Sequence, residues 1–146
     1  ARILARPSEA IDHAARHAGL AYGMIVVINK LPQDIARRQL FLPQQFLQQH
    51  GSSLEEVFAG KQTPQARAAV DQLVTEANKH LKTALSLLAE VPQEVRPAFL
   101  PLALVRRDIK RMERRDNDPF VLRLMPRFRM LLALWRASRR QEFRDE

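Results

Sequence analysis

The sequence predicts an all-α protein, a helical bundle, and two observations carry that expectation. From Pro64 onward the apolar residues Val70, Leu73, Val74, Ala77, Leu81, Ala84, Leu85 and Leu88 recur in a heptad-like stripe, with proline only at its borders, Pro64 and Pro92. A stripe of that length is the core-facing seam of a bundle. Nowhere does the chain show the period-two alternation of a strand, a glycine-rich phosphate loop or an internal repeat.

Pro7 and Ser8 open the first helix, with Ser8 as N-cap and Glu9 in the first turn, where the helix dipole favours a carboxylate. Ile11, Ala14, Ala15, Ala18, Tyr22, Ile25 and Val26 follow at helical spacing, and the small residues Ala14, Ala18 and Gly19 allow a neighbouring helix to approach closely. His13 and His17, four apart, suit a metal ion, but with no evident third ligand a solvated face is the expectation. Pro32 should end or kink the helix, because an internal proline costs roughly 3 kcal/mol and removes a backbone donor. Residues 31–42 are therefore expected to be a loop or broken helix presenting Lys30, Asp34, Arg37 and Arg38 at a helix end.

Pro43 at a first helical position and Gly51 just past the end frame a short helix with Phe46 and Leu47. Ser53 and Glu56 form a capping box for the next, which Gly60 closes. Thr63-Pro64 starts the long helix, expected over 64–91. Pro97 opens a further helix whose early part, AFLPLALV, is apolar all round and should be buried, while from Arg106 onward charged residues surround Ile109 and Met112 as a solvated face. Asn117-Asp118-Pro119 is a turn. A last helix from Pro126 mixes Phe128, Leu131, Leu132 and Trp135 with Arg127, Arg129, Arg136, Arg139 and Arg140. A basic amphipathic helix of this kind either docks on the bundle, the favoured reading, or lies on an anionic membrane with Arg129, Trp135, Arg136 and Arg139 toward it.

The stretch AGLAYGMIVVINKLPQDIARRQLFLP over 18–43 resembles the second aspartate-rich segment of the squalene/phytoene synthase family, which reads Asp-x-x-Glu-Asp, then Ala-Arg-Arg-Gly-Arg, a hydrophobe, Tyr, Leu and Pro. Counted back from Pro43, the three acidic positions fall on Lys30, Gln33 and Asp34. The likeness continues through the arginine-rich segment from Arg106 to Arg115, the Asp118-Pro119-Phe120 turn, Arg123 and the basic helix from Pro126. It implies one domain over 1–146, the C-terminal part of an isoprenoid-synthase-type bundle, and a chain that is a fragment of a longer protein. In the family, two aspartate-rich segments hold magnesium ions that bridge the diphosphates of two prenyl substrates; the first segment lies in an N-terminal half that this chain does not contain.

The departures from the family pattern are chemical. Magnesium wants oxygen ligands in near-octahedral array, and lysine supplies none. Only Asp34 survives as a candidate ligand, Gly23 and Val26 stand where the family usually has Gln and Asn, and Phe41 and Val105 stand where it has tyrosines. Pro32, Arg37-Arg38 and Phe41-Leu42-Pro43 together look more like a degenerate, non-catalytic branch of the family, which includes the mitochondrial assembly factor for respiratory complex I. The resemblance thus implies a remnant diphosphate site, in which Lys30, Asp34, Arg37 and Arg38 hold an anion without metal. The plainer alternative is a surface ion pair of Lys30 with Asp34, worth well under ~1 kcal/mol, beside two solvated arginines.

The 146 residues carry a net charge of +8, which favours anionic partners such as acidic lipid or diphosphate. Of the 24 Lys and Arg residues, 13 lie after Val105, and all but one of those are Arg. With no cysteine, disulfides, zinc-thiolate sites and thiol nucleophiles are excluded. No apolar run approaches a transmembrane helix and no signal-peptide layout is present. A cytoplasmic location is expected, with a peripheral place at a membrane as the alternative to a docked last helix. The leading expectation is a non-catalytic binding or assembly protein without cofactor. The alternative is an active head-to-head prenyl transferase that uses Mg²⁺. Nucleic acid is disfavoured because few aromatics are available for base stacking. The fully apolar segments MIVVI and AFLPLALV are expected to need cover from the missing N-terminal half or from a second copy, along the helix of Gly19 and Gly23 and the start of the helix at Pro97.

Overall fold

The computed structural model describes residues 8–59, 63–114, 116–122 and 125–140. The expectations placed on Pro7, Gly60, Arg115 and Arg123 lie outside the described residues. Among those described there is no strand. Six α-helices follow one another: α1 (Glu9–Ala36), α2 (Gln44–Gln49), α3 (Leu54–Phe58), α4 (Pro64–Leu87), α5 (Leu102–Met112) and α6 (Arg127–Ser138). Two 3₁₀ segments, Leu88–Glu90 and Gln93–Phe99, connect α4 to α5.

The helix starts are written in capping residues. Ser8 Oγ accepts from the Ile11 amide at 3.2 Å, and Thr63 Oγ1 accepts from the Ala66 amide at 3.1 Å with Pro64 opening α4. The Ser53–Glu56 capping box is complete, both of its hydrogen bonds being 3.2 Å. Gly51 takes φ +69° just after α2, a left-handed conformation that glycine adopts without a Cβ clash.

α1 and α4 make the principal interface. His17 in the first half of α1 meets His80 in the second half of α4, so the two run antiparallel. Ile11, Ala14, Ala21, Ile25, Ile28 and Leu31 from α1 pack with the stripe of α4, in which Val70, Leu73, Val74, Ala77, Leu81 and Ala84 are all buried. α5 closes one side of this pair with Leu102, Val105, Ile109 and Met112. α6 packs on α5 and buries only Ala137.

Three local expectations are corrected. Pro32 does not end α1; the helix continues to Ala36, because Leu31, Asp34 and Ile35 around it are drawn into the packed face and their burial outweighs one lost donor. α1 stops instead in a Schellman turn: Gln39 N–H donates to the Asp34 carbonyl (2.8 Å), Arg38 N–H donates to the Ile35 carbonyl (3.0 Å), and Arg38 sits at φ +53°. Residues 31–36 are thus helix, not loop. Pro97 does not open an α-helix either, since it lies inside a 3₁₀ segment and α5 begins only after Pro101. AFLPLALV is accordingly half covered, with Phe99, Leu102 and Val105 buried but Ala98 and Pro101 exposed.

Substituting Pro32 by alanine restores a donor to the Ile28 carbonyl and removes a ring clash while loosening the unfolded chain slightly. The net expectation is a gain of about 2 kcal/mol. Thermal melting should show it as a rise of roughly 4–8 °C for a chain of this size; an unchanged or lower Tm would mean that the helix is built around the ring.

Candidate functional site

α1 and α5 face each other across a polar contact. Asn29 Nδ2 donates to Asp108 Oδ2 (2.8 Å), and Arg111 Nη2 donates to Asn29 Oδ1 (2.6 Å) and reaches Asp108 Oδ1 at 3.3 Å. The carboxylate is thereby neutralised and held, with only 16% of its side chain exposed. Above this network opens a cleft of about 390 Å³, lined by Lys30 and Gln33 of α1, Arg107 and Arg111 of α5 and Arg129 of α6, with Leu122, Met125 and Pro126 as its apolar wall. Four cations face a single, already paired carboxylate, so the cleft carries an excess of positive charge.

The residues singled out in the sequence separate here. Lys30 enters the cleft, its ammonium 4.0 Å from Asp34 Oδ1 and 5.7 Å from the ring of Phe41. Asp34 itself is buried, with 4% of its side chain exposed, and does not line the cleft. The pair is therefore not the surface pair of the plainer reading. Arg37 and Arg38 lie past the end of α1, both exposed, and Arg38 stands over the ring of Phe58 at 6.0 Å. Arg129 and Arg136 turn toward α5, whereas Arg139 stacks on the exposed Trp135 at 4.0 Å. Asn29, Arg107, Asp108 and Arg111 were missed by the sequence reading, which placed α5's charges on a solvated face. The only signal for them was the i,i+3 spacing of Asp108 and Arg111, one among many such pairs in an arginine-rich segment.

At Lys30, Gln33 and Asp34 the residues do not fit a magnesium ion. The ion needs several oxygens converging from one side; here a lysine occupies the first position, an amide the second, and the remaining carboxylate is buried beneath that lysine.

A second cluster lies on the α1–α4 seam. His17 Nδ1 and His80 Nδ1 are 2.8 Å apart, so one ring donates and the other accepts, and His13 stacks beside His17 with ring centres 5.4 Å apart. Among the described residues no group of three His, Cys, Asp or Glu is placed to hold a metal. Partial burial, then the charges of His80, His13 and Arg16, push the His17 pKa below its ordinary 6.5. The unfolded chain therefore takes up this proton first. A neutral His17 stabilises the fold fully above pH ~6.5, and that contribution is lost as pH falls from there through the lowered folded value. Urea midpoints measured from pH 7.5 to 5 should decline, and His17→Gln should flatten the decline; an equal slope in the variant would place the titrating group elsewhere.

The all-α bundle places the protein in the class of isoprenoid-synthase-like folds. The squalene/phytoene synthase family matches residues 1–138, and the chain belongs to that family. It is 35% identical over 133 residues to the rat protein named NADH dehydrogenase (ubiquinone) complex I, assembly factor 6 (Rattus norvegicus), covering 90% of this chain and 40% of that protein. The human protein of the same name (Homo sapiens) is 34% identical over 109 residues, 75% of this chain and 33% of its own length. Phytoene synthase 2, chloroplastic, of Solanum lycopersicum is 29% identical over 117 residues, 80% of this chain and 38% of its own. The chain thus spans two fifths or less of these relatives. No solved structure matches it.

Proposed function

We propose that this protein is a binding or assembly member of the squalene/phytoene synthase family that performs no metal-dependent prenyl transfer. The observation that carries the proposal is the cleft itself: where the family resemblance puts magnesium-binding carboxylates, Lys30 and Gln33 face three arginines and Asp34 is sequestered. Lys30, Arg107, Arg111 and Arg129 supply as fixed charge what a metal would otherwise supply, so a diphosphate or similar anion is held without Mg²⁺ and without a cofactor. Arg37 and Arg38 act at most at long range. Names of relatives in complex I assembly support protein partners, and we place the present chain in the same kind of role. An open apolar groove of about 330 Å³ between Ala15, Ala18, Gly19 and Tyr22 of α1 and Phe99 and Leu102 suits cover by further helices of a longer bundle or by a second copy. A cytoplasmic-side, peripheral position at an anionic membrane completes the proposal; no described helix is long and apolar enough to cross one.

The competing reading, an active transferase, draws on the similarity to a phytoene synthase and on the carboxylate of Asp108 in the cleft. Incubating the protein with farnesyl or geranylgeranyl diphosphate and Mg²⁺ separates the two. The expected result is no consumption of either substrate, together with binding of a diphosphate analogue that chelators leave unchanged and Lys30→Gln weakens several-fold. Magnesium-dependent turnover, or tight metal-dependent binding that vanishes in Asp34→Ala, would restore the transferase.

A further inference from the structure

A second basic cleft lies between α5 and α6 and shares Arg107 and Arg129 with the first. It has a volume of about 530 Å³ and is walled by Arg106, Arg107 and Lys110 of α5 and by Arg129, Arg136 and Arg140 from α6 and its end. No carboxylate is among its lining residues, and the rest of the wall is apolar: Ala103, Phe128, Leu132, Ala133 and Ala137. Arg107 Nη1 donates to the Arg129 carbonyl at 3.4 Å, which joins the two helices at one end of the cleft. Guanidinium groups pair with phosphate oxygens in bidentate fashion, and apolar walls between them leave room for what a phosphate is attached to.

α6 is turned inside out relative to an ordinary docked helix. At about 100° per residue, Leu131, Trp135, Phe128 and Leu132 fall within an arc of roughly 100°; Leu131 and Trp135 face away from the bundle, and Phe128 and Leu132 stand at the mouth of the cleft. Their exposures are 62%, 52%, 65% and 41%, in a helix that buries only Ala137. Arg129, Arg136 and Arg140 lie along one edge of the arc, on the side of the cleft. An apolar face bordered by a row of arginines, with an aromatic residue on it, matches the cross-section of a bilayer leaflet, in which acyl chains lie below a layer of phosphates. An acidic protein or a nucleic acid complements the arginines but leaves the apolar arc uncovered.

We propose that the α5/α6 cleft is a headgroup site for an anionic phospholipid whose phosphate is unshielded, such as phosphatidic acid, and that the outward face of α6 enters the same leaflet. This rests on the peripheral membrane position proposed above and adds a chemical preference to it. A lipid whose phosphate is esterified to serine carries the same net surface charge per unit area when its mole fraction is adjusted, but its headgroup fills the entrance that the guanidinium groups must reach. Nonspecific attraction to charge therefore treats the two lipids alike, and the cleft does not.

Vesicle flotation with the protein tests both layers. Phosphatidylcholine vesicles are doped with phosphatidic acid or with phosphatidylserine, adjusted to equal surface potential. Wild type should bind the phosphatidic acid vesicles about tenfold more tightly. Lys110→Gln/Arg136→Gln/Arg140→Gln, all at exposed positions, should abolish that preference and weaken binding by about 100-fold, near fivefold per cation. Neutralising Arg16, Arg37 and Arg38, away from the cleft, should keep the preference. Leu131→Ser/Trp135→Ser, both outside the cleft, should weaken binding to both vesicles while leaving capture of soluble dihexanoyl phosphatidic acid intact.

Equal wild-type binding to the two vesicles overturns the headgroup site but not the membrane position, and failure to bind either overturns both. Competition by inorganic phosphate as effective as that by soluble phosphatidic acid would make this a site for free phosphate. Vesicle binding untouched by Leu131→Ser/Trp135→Ser would overturn the entry of α6 into the leaflet.

Discussion

Replacing Ile28 by alanine is expected to destabilise the protein by about 3 kcal/mol, within the range for a large aliphatic residue cut down in a closed core. Ile28 is 1% exposed and lies in the second half of α1, a helix that packs on both α4 and α5. Its neighbour in sequence, Asn29, holds Asp108 and Arg111 across the same junction, so the backbone there is fixed from two sides and cannot easily close on the void. The measurement is urea unfolding followed by circular dichroism, in which the midpoint should fall by about 1 M or more. Leu131→Ala, at a position 62% exposed, is the control and should stay within about 0.5 kcal/mol. A loss under ~1 kcal/mol at Ile28 would show that α1 and α4 move together to fill the space.

What the sequence made legible was whatever is encoded within one helix. The stripe of α4 is buried from Val70 to Ala84, with Leu85 half-buried and Leu88 buried in the 3₁₀ segment that follows; Ser8, Ser53 and Thr63 cap the helices they precede, and α6 starts at Arg127 beside Pro126. Family membership was legible too, because the 18–43 stretch keeps Arg37, the hydrophobe Leu40 and the Leu42-Pro43 end of the pattern that follows the acidic positions. The failures have a common origin in packing between helices. Pro32 breaks a local rule, and it is tolerated because Leu31 and Asp34 on either side of its turn are buried. Asp34 reads as a surface acid, yet it is covered by a fold that no spacing reveals.

The cleft was the least legible feature. Its cations come from three helices, and nothing in an arginine-rich segment distinguishes Arg107 and Arg111, which face α1 and α6, from Arg114, which pairs with Asp116 at the surface. His17 shows the same limit: its spacing from His13 was visible, whereas the ring that meets it, His80, arrives from 63 residues away. The apolar exposure expected on α1 is also distributed differently. Ile25 and Ile28 of MIVVI are buried and Met24, Val26 and Val27 half-buried, so the large exposed residues of α1 are Leu20 and Tyr22, and a richer apolar face belongs to α6.

The largest polar loss is expected at Arg67, which ties α4 to the end of α5 and the turn beyond it. Its Nη2 donates to the Met112 carbonyl at 3.1 Å, its Nη1 donates to the Asn117 carbonyl at 2.5 Å, and its Nε donates to Asp71 Oδ1 at 2.8 Å. Asn117 is buried and its side-chain oxygen has no partner, so the bond to its backbone carbonyl is what holds the turn against α4. Arg67→Met keeps the stem's volume and removes every donor, leaving two carbonyls partnerless at about 1–3 kcal/mol each. A total near 3 kcal/mol is expected, while Asp71→Ala, which removes only the half-exposed partner, should cost under ~0.5 kcal/mol. Arg67→Lys has one compact ammonium in place of a fork and should fall between them. Hydrogen exchange localises the effect: amides from Met112 to Phe120 should lose protection in Arg67→Met before the α1–α4 core does. A global loss with no local opening, or a Met variant as stable as wild type, would mean that water takes over both carbonyls and that the guanidinium is not the tie.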